Sequence, residues 1–172
     1  MMELMIDTRE HKSELTRIMR QLDSIGVSYF KSKLYVGDYM SLDNPRLVID
    51  RKKDLLELCG NVTQQHERFR DELIRAKEHG IKLIVLCEHG EGIQELTDVI
   101  FWENPRLKEA DWVMKDGHPV KVQRYPKATT GEQLYKSLCT ISNRYGVDFY
   151  FCNKDQTGRE IVRILGGEEN GA

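Results

Sequence analysis

The sequence lacks an excess of charge of either sign. Its 26 Lys and Arg residues nearly balance 28 Asp and Glu residues, which leaves a net charge of −2. Attraction of the whole molecule to a polyanion is therefore excluded, and any nucleic-acid surface has to be local. The composition is otherwise that of an ordinary globular protein, with 40% hydrophobic and 31% charged residues.

Long hydrophobic runs and a basic leader are also missing. No apolar stretch approaches the roughly 20 residues that cross a bilayer, so we expect no membrane partner. The first seven residues turn acidic at once, which is not typical of a signal peptide. These absences predict a cytoplasmic protein. A chain of 172 residues can bury its own core, and we expect one domain over 1–165 with a disordered tail over 166–172.

Cysteine and histidine patterns typical of metal sites are absent too. No Cys-x-x-Cys pair occurs among the four cysteines, which are Cys59, Cys87, Cys139 and Cys152. We therefore expect buried, reduced thiols rather than disulfides or a zinc site. The five histidines are scattered, without the His-x-x-x-His spacing of a helical metal site.

What the sequence does contain is an alternation of short β-type runs with amphipathic helices, which predicts an α/β layer architecture. We expect strands over 4–6, 34–39, 46–52, 81–87 and 147–152, and helices over 13–25, 63–79, 132–145 and 157–165. A short helical turn at 54–59 should end at Gly60-Asn61, and Asp43-Asn44-Pro45 is a strong turn signal. The stretch 90–126 is the least regular.

Two acidic residues fall at matching positions of a predicted hairpin. If strands 34–39 and 46–52 pair antiparallel about Asn44, Asp38 lies directly across from Asp50, since each is six residues from the centre. Their Cβ atoms would then be roughly 5 Å apart. Because side chains alternate along a strand, Asp50 and Lys52 share one face while Arg51 leaves on the other.

This arrangement suits phosphodiester hydrolysis. Two neighbouring carboxylates repel each other unless a cation lies between them, and Mg²⁺ or Mn²⁺ meets that need with oxygen ligands and open positions for water. Such an ion lowers the pKa of a water and shields the charge of a phosphodiester, while Lys52 can orient or deprotonate that water. The same short spacing also occurs in ordinary solvated hairpin ends.

Further motifs follow in a specific order along the chain. Asp7-Thr8-Arg9-Glu10 ends the first strand, and Gly37-Asp38-Tyr39 precedes Asp50-Arg51-Lys52. A helix that begins at Thr63 and carries Gln64-Gln65 then leads to an apolar strand ending in Glu88. This order resembles the XPF-type (ERCC4-like) nuclease domain, with its D-x-R-E, G-D-Y and E-R-K motifs. The motifs cover residues 4–90, and the rest matches by its helix–strand–helix pattern.

The resemblance implies a restriction-endonuclease-like, or PD-(D/E)xK, fold with a central mixed sheet flanked by helices. It also implies a Mg²⁺- or Mn²⁺-dependent endonuclease acting on DNA, in branched, flap or duplex form. The positions that match catalytic residues are Asp38, Asp50, Arg51 and Lys52. The positions that match supporting residues are Arg9 and Gln65. The metal ligands implied in the same way are Asp7, Glu10, Asp38 and Asp50.

The sequence also departs from the family pattern. Asp50 stands where the family has glutamate, which shortens the ligand by one methylene. A later acid is expected at Leu56, whereas the nearest one is Asp54. These departures keep open a catalytically inactive DNA-binding or assembly module on the same fold, and a sequence-specific restriction-type nuclease is a third hypothesis. The sequence shows no tandem helix-hairpin-helix domain, which many relatives have. In this respect it resembles a compact, stand-alone form of the family, as expected of a phage or mobile-element protein. We therefore expect it in a bacterial or phage-infected cell.

Charge is locally uneven between residues 104 and 144, where eight Lys and Arg residues face four Asp and Glu residues. Trp112 and Tyr125 lie in this stretch and could stack on unpaired bases. A basic loop beside the metal site would grip phosphates, although a solvated loop with buried tryptophans has the same sequence pattern. The resemblance also implies a homodimer, since cutting both strands of a duplex generally needs two active sites.

Overall fold

A mixed six-stranded sheet forms the centre of the protein in the computed structural model, which describes residues 1–167. Side by side, and numbered in chain order, its strands are β2 (Ser28–Ser32), β1 (Glu3–Asp7), β3 (Tyr39–Ser41), β4 (Asn44–Lys52), β5 (Lys82–Cys87) and β8 (Asp148–Phe151). β3 runs antiparallel to β1 and β4, while β1 with β2, β4 with β5, and β5 with β8 are parallel.

Helices cover both faces of this sheet. On one face lie α1 (Lys12–Ser24) and α5 (Thr157–Leu165), and on the other lie α2 (Leu55–Thr63), α3 (His66–Glu78) and α4 (Gly131–Tyr145). Each face has its own apolar core, and β4 contributes to both, with Val48 to one and Ile49 to the other. The predicted mixed sheet flanked by helices is confirmed.

Local sequence signals set several helix ends where we expected them. Gly26, two residues after the end of α1, adopts a φ of 72°, a conformation that glycine adopts without strain. At the start of α4, the Thr130 hydroxyl accepts from the Gln133 N–H and the Gln133 side chain accepts from the Thr130 N–H, which is the predicted capping box.

Three predicted elements are wrong in extent. The strand over 34–39 is a loop as far as Asp38, because Gly37 turns the chain with a φ of 71° and the Asp7 carboxylate binds the Leu34 N–H. The helix predicted to start at residue 54 does not end at Gly60. The observed α2 continues to Thr63, because burial of Leu55, Leu58 and Cys59 stabilises it. The following helix begins at His66 rather than at residue 63.

The stretch 90–126 contains more regular structure than expected. Two short 3₁₀ helices, Leu96–Phe101 and Pro105–Lys108, precede a two-stranded hairpin of β6 (Ala110–Lys115) and β7 (His118–Gln123). Asp116 and Gly117 join the strands, both with positive φ, as a type I′ turn requires. Trp102 is buried, whereas Trp112 is 71% exposed on the hairpin.

Cys59, Cys87 and Cys152 are buried as expected, and Cys139 is half-buried. Within residues 1–167, no helix combines the length and the apolar character needed to cross a membrane. Gly166 and Gly167 form a turn after α5, while 168–172, most of the predicted tail, lie outside the described residues.

Candidate active site

The predicted hairpin register is confirmed where the site forms. Tyr39 pairs with Ile49 and Met40 with Val48, and a bulge follows at Ser41. Asp38 takes the next position, since its N–H donates to the Ile49 carbonyl at 2.8 Å. Its Oδ2 accepts from the Arg51 N–H, also at 2.8 Å. The backbone of β4 therefore holds the Asp38 carboxylate beside Asp50.

Asp50 and Lys52 share one face of β4 and meet there. The Lys52 Nζ lies 2.9 Å from Asp50 Oδ2, and both side chains are almost fully buried. Within residues 1–167 the Lys52 ammonium is the only polar partner of Asp50 Oδ2, and this contact balances the charge of the carboxylate. A carboxylate accepts several hydrogen bonds or metal ligands at once, so Asp50 can bind a further partner beside Lys52.

Burial and neighbouring charges shift the pKa values of Asp38 and Lys52. Burial raises the pKa of Asp38, and the negative charges of Asp50 and Glu10 raise it further, so the pKa lies well above the usual range of a carboxyl group. Burial lowers the pKa of Lys52, but the Asp50 carboxylate more than offsets burial, and the net shift is upward. Lys52 is therefore an ammonium ion at neutral pH. Its Nζ lies 5.5 Å from the centre of the Phe69 ring.

A third carboxylate, Glu72, was missed by the sequence reasoning. It lies on α3, and its Oε1 accepts from the Gly37 N–H at 3.0 Å. Burial and the neighbouring Asp50 charge raise the pKa of Glu72. The sequence could have indicated Glu72, because it comes three residues after the inward-facing Phe69 and so lies on the same side of the helix.

Gly37 sets the approach of the Asp38 loop to β4, and this gives a testable prediction. Its φ is 71°, and a Cβ there would lie 2.3 Å from Val48 Cγ1 and 2.9 Å from the Ile49 carbonyl oxygen. We expect Gly37→Ala to lower the free energy of unfolding by about 2–4 kcal/mol, from the left-handed conformation and the overpacking together. Urea denaturation measures this.

The control is Gly26→Ala, at nearly the same φ but with open space around the added methyl group. We expect Gly26→Ala to lower the free energy of unfolding by about 1–2 kcal/mol, the cost of the left-handed conformation without overpacking. Equal losses in the two variants would contradict the tight packing of the Asp38 loop against β4.

Arg51 anchors a buried ion-pair network on the opposite face of the sheet, as the alternation predicted. Its Nε and Nη2 donate to the two Glu10 oxygens, each at 2.9 Å, and its Nη1 donates to Glu88 Oε1 at 2.6 Å. The Tyr39 hydroxyl donates to Glu10 Oε2 at 2.7 Å, and Arg17 holds the other Glu88 oxygen. The two oxygens of Glu88 therefore bind two different arginines, a pairing that the sequence did not predict.

Asp7 and Arg9 form a separate pair that holds the loop before Asp38. Asp7 is 1% exposed. Its Oδ1 accepts hydrogen bonds from the backbone N–H and the Nε of Arg9, at 2.7 and 2.8 Å. Its Oδ2 accepts from Arg9 Nη2 at 2.7 Å and from the Leu34 N–H at 2.9 Å. Burial raises the pKa of Asp7, but the bonds from Arg9 and Leu34 outweigh burial and the net shift is downward. The oxygens of Asp7 are thus occupied by the protein itself.

Gln65 lies at the edge of this region. It is exposed, precedes the first residue of α3, and its Oε1 accepts weakly from the Asn61 amide at 3.3 Å. Helical spacing places it one turn before Phe69, on the side of α3 that faces Lys52. A role in supporting the site stays a prediction for Gln65 and for Arg9.

The residues present fit one divalent ion rather than the four-carboxylate site implied by the resemblance. Within the described chain, no group of three or more His, Cys, Asp or Glu side chains is arranged to hold a metal. Glu10 and Asp7 bind arginines, which leaves Asp38 and Asp50 as the neighbouring pair. Two neighbouring carboxylates with few protein partners match the oxygen preference of Mg²⁺ or Mn²⁺.

The mixed sheet with helices on both faces is a restriction-endonuclease-like fold. The family model described as the ERCC4 domain matches residues 6–164, so the chain belongs to the ERCC4 domain family. The resemblance to the XPF-type nuclease domain found from the ordered motifs is therefore confirmed.

Solved structures show the same fold. XPF from Aeropyrum pernix is 18% identical with a TM-score of 0.59, over 95% of this chain and 63% of that one. The same protein in complex with DNA is 17% identical with a TM-score of 0.63, over 96% and 64%. This chain thus spans slightly less than two thirds of the length of these structures. No curated protein matches it.

Proposed function

We propose that this protein is a DNA endonuclease that requires Mg²⁺ or Mn²⁺ and acts on branched, flapped or duplex DNA. The observation that carries the proposal is the buried Asp50 carboxylate, which lies beside Asp38 and has Lys52 as its only polar partner within residues 1–167. Membership of the ERCC4 domain family supports nuclease chemistry, and the likeness to an XPF structure in complex with DNA supports DNA as the substrate.

Asp38 and Asp50 are the residues that would hold the ion. When bound, a divalent ion lowers the pKa of the attacking water and shields the negative phosphodiester. The Arg51 N–H fixes Asp38 Oδ2, and within residues 1–167 Asp38 Oδ1 accepts no hydrogen bond. Asp38 Oδ1 and the Asp50 carboxylate are therefore the groups that would ligate the ion.

Lys52 supplies a fixed positive charge in the proposed reaction. The position of its Nζ beside Asp50 suits binding of a phosphate oxygen and positioning of the water. Asp50 on one side and the Phe69 ring on the other restrict the movement of the ammonium group. The charge therefore needs little reorganisation when the phosphate becomes more negative.

Cleavage of duplex, flap and four-way-junction DNA, with Mg²⁺, Mn²⁺ or EDTA, tests the proposal. We expect metal-dependent cleavage that falls about 10²- to 10³-fold in Lys52→Ala, the usual loss when one electrostatic group is removed. Lys53→Ala is the matched control, because Lys53 is the next residue and is exposed. It should cut at the wild-type rate.

Cleavage that persists in EDTA, or that is equal in Lys52→Ala and wild type, would overturn the proposed chemistry. Binding of DNA without cleavage in any metal would instead favour the catalytically inactive module on the same fold. Discrete, reproducible bands from a plasmid digest would indicate the sequence-specific restriction-type nuclease.

A further inference from the structure

The loop over 33–38, which joins β2 to β3, ends at the candidate metal ligand Asp38, and helix α3 lies along it. Near the middle of the loop, the Tyr35 ring packs edge-on against His79, with the ring centres 4.9 Å apart. The guanidinium of Arg75 lies 5.5 Å from the centre of the same ring. Since Arg75 and His79 are four residues apart, one side of α3 contacts this part of the loop.

The same side of α3 also holds the next two residues of the loop. Val36 is 3% exposed and belongs to the apolar core that includes Phe69 of α3. The Gly37 N–H donates to Glu72 Oε1 at 3.0 Å. Glu72 lies one turn before Arg75, so the ring contact, the apolar contact and the hydrogen bond follow one another along the helix. Three consecutive loop residues are thus bound to a single rigid element.

The hydrogen bond from Glu72 acts next to the point where Asp38 meets β4. Gly37 packs so closely on β4 that a Cβ would lie 2.9 Å from the Ile49 carbonyl oxygen. In the next residue, Asp38 Oδ2 accepts from the backbone N–H of Arg51 at 2.8 Å. A shift of the Gly37 backbone therefore moves the Asp38 carboxylate away from its partner on β4.

Glu72 itself is not arranged to hold the ion together with the two aspartates. Within residues 1–167, no group of three His, Cys, Asp or Glu side chains has the arrangement of a metal site. The negative charge of Asp50 also disfavours the charged form of Glu72. The contribution of Glu72 is accordingly its hydrogen bond to the loop, and its charge is not required for that bond.

We infer that Glu72 is a positioning residue of the active site, which holds Asp38 in place through the Gly37 N–H. The inference rests on the proposed function for the role of Asp38 as a ligand. It adds that the ligand is set from α3 as well as from β4, by a residue outside the sequence motifs. Glutamine at position 72 can replace glutamate in this role because its amide oxygen accepts the same hydrogen bond.

Amide hydrogen exchange followed by NMR in EDTA tests this inference without an ion. We expect Glu72→Ala to speed exchange of both the Gly37 and the Arg51 N–H about tenfold or more, the usual effect of losing a hydrogen bond to a charged group. Glu72→Gln should keep both rates within about threefold of wild type. Rates are taken relative to the buried Val85 N–H in β5, so that a general loss of stability is not counted.

Binding of Mn²⁺ measured by calorimetry extends the test to the ion. We expect about tenfold weaker binding in Glu72→Ala and a change of less than about threefold in Glu72→Gln. Asp71→Ala is the matched control, because Asp71 is the preceding residue of α3 and is exposed. It should exchange and bind Mn²⁺ as wild type.

Wild-type exchange of the Arg51 N–H in Glu72→Ala would overturn the inference, because the Asp38 carboxylate would then be in place without Glu72. Losses in Glu72→Gln as large as in Glu72→Ala would overturn it too, since they would assign the effect to charge and not to the hydrogen bond. Wild-type protein that binds no Mn²⁺ would overturn the proposed function instead. The exchange rates would still decide whether Glu72 positions Asp38, so the two proposals can fail separately.

Discussion

Asp38→Asn is expected to abolish cleavage and, at the same time, to stabilise the protein in the absence of divalent ions. A divalent ion contributes several kcal/mol to the transition state, so loss of one of its two carboxylates should slow cleavage about 10³-fold or more. The asparagine amide keeps an acceptor for the Arg51 N–H and removes the repulsion with Asp50 and Glu10. Cleavage assays and urea denaturation in EDTA measure the two effects.

The stabilisation should depend on pH in a defined direction. Because the pKa of Asp38 is higher in the folded than in the unfolded protein, the folded state binds more protons, and the free energy of unfolding falls as pH rises through the folded pKa. The advantage of the Asp38→Asn variant over wild type should therefore be absent near pH 4 and grow towards pH 8. Asp43→Asn, in the exposed turn of the same hairpin, should change neither cleavage nor stability. A stabilisation that is independent of pH would contradict the assigned repulsion.

Arg51→Met is expected to produce the largest loss of stability. The substitution leaves Glu10 and Glu88 buried with fewer partners, and breaking a buried ion pair on one side costs about 3–5 kcal/mol. That is a large part of the roughly 5–15 kcal/mol that stabilises an ordinary domain. The shift of the denaturation midpoint measures it, and Arg68→Met on the exposed side of α3 is the control.

Partial rescue separates the network from a simple packing defect. The triple variant Arg51→Met, Glu10→Gln and Glu88→Gln removes the unpaired charges together and should recover part of the lost stability. A loss below about 1 kcal/mol for Arg51→Met alone, the size of a surface ion pair, would show that the network contributes little.

Sequence reasoning worked best where two independent signals agreed. The predicted pairing of Tyr39 with Ile49 is confirmed, but the predicted turn around Asn44 is wrong. The chain turns at 42–43 and Asn44 pairs with Ser41, and the bulge between Met40 and Ser41 shifts the register to the predicted one. Alternation along β4 placed Lys52 with Asp50 and Arg51 on the other face. The order of the motifs added the family, which no single motif could have shown.

It failed where tertiary contacts override local preference. The glycine at position 60 suggested a helix end, yet buried neighbours carry α2 past it. The partners of Glu10 could not be predicted, because the arginine that binds it is 41 residues away in the chain. The hairpin of β6 and β7, by contrast, could have been found, since Asp116-Gly117 between two β-type runs is a strong hairpin signal.

The proposed chemistry depends on one ion between Asp38 and Asp50, and a crystal structure of protein soaked in Mn²⁺ tests this most directly. We predict an anomalous peak about 2.1 Å from an oxygen of each carboxylate, with Asp50 Oδ2 among the ligands. The Arg51 bonds to Glu10 and Glu88 should persist unchanged. A peak elsewhere, or no peak while Lys52 and Asp50 keep their present contact at saturating Mn²⁺, would contradict the proposed active site.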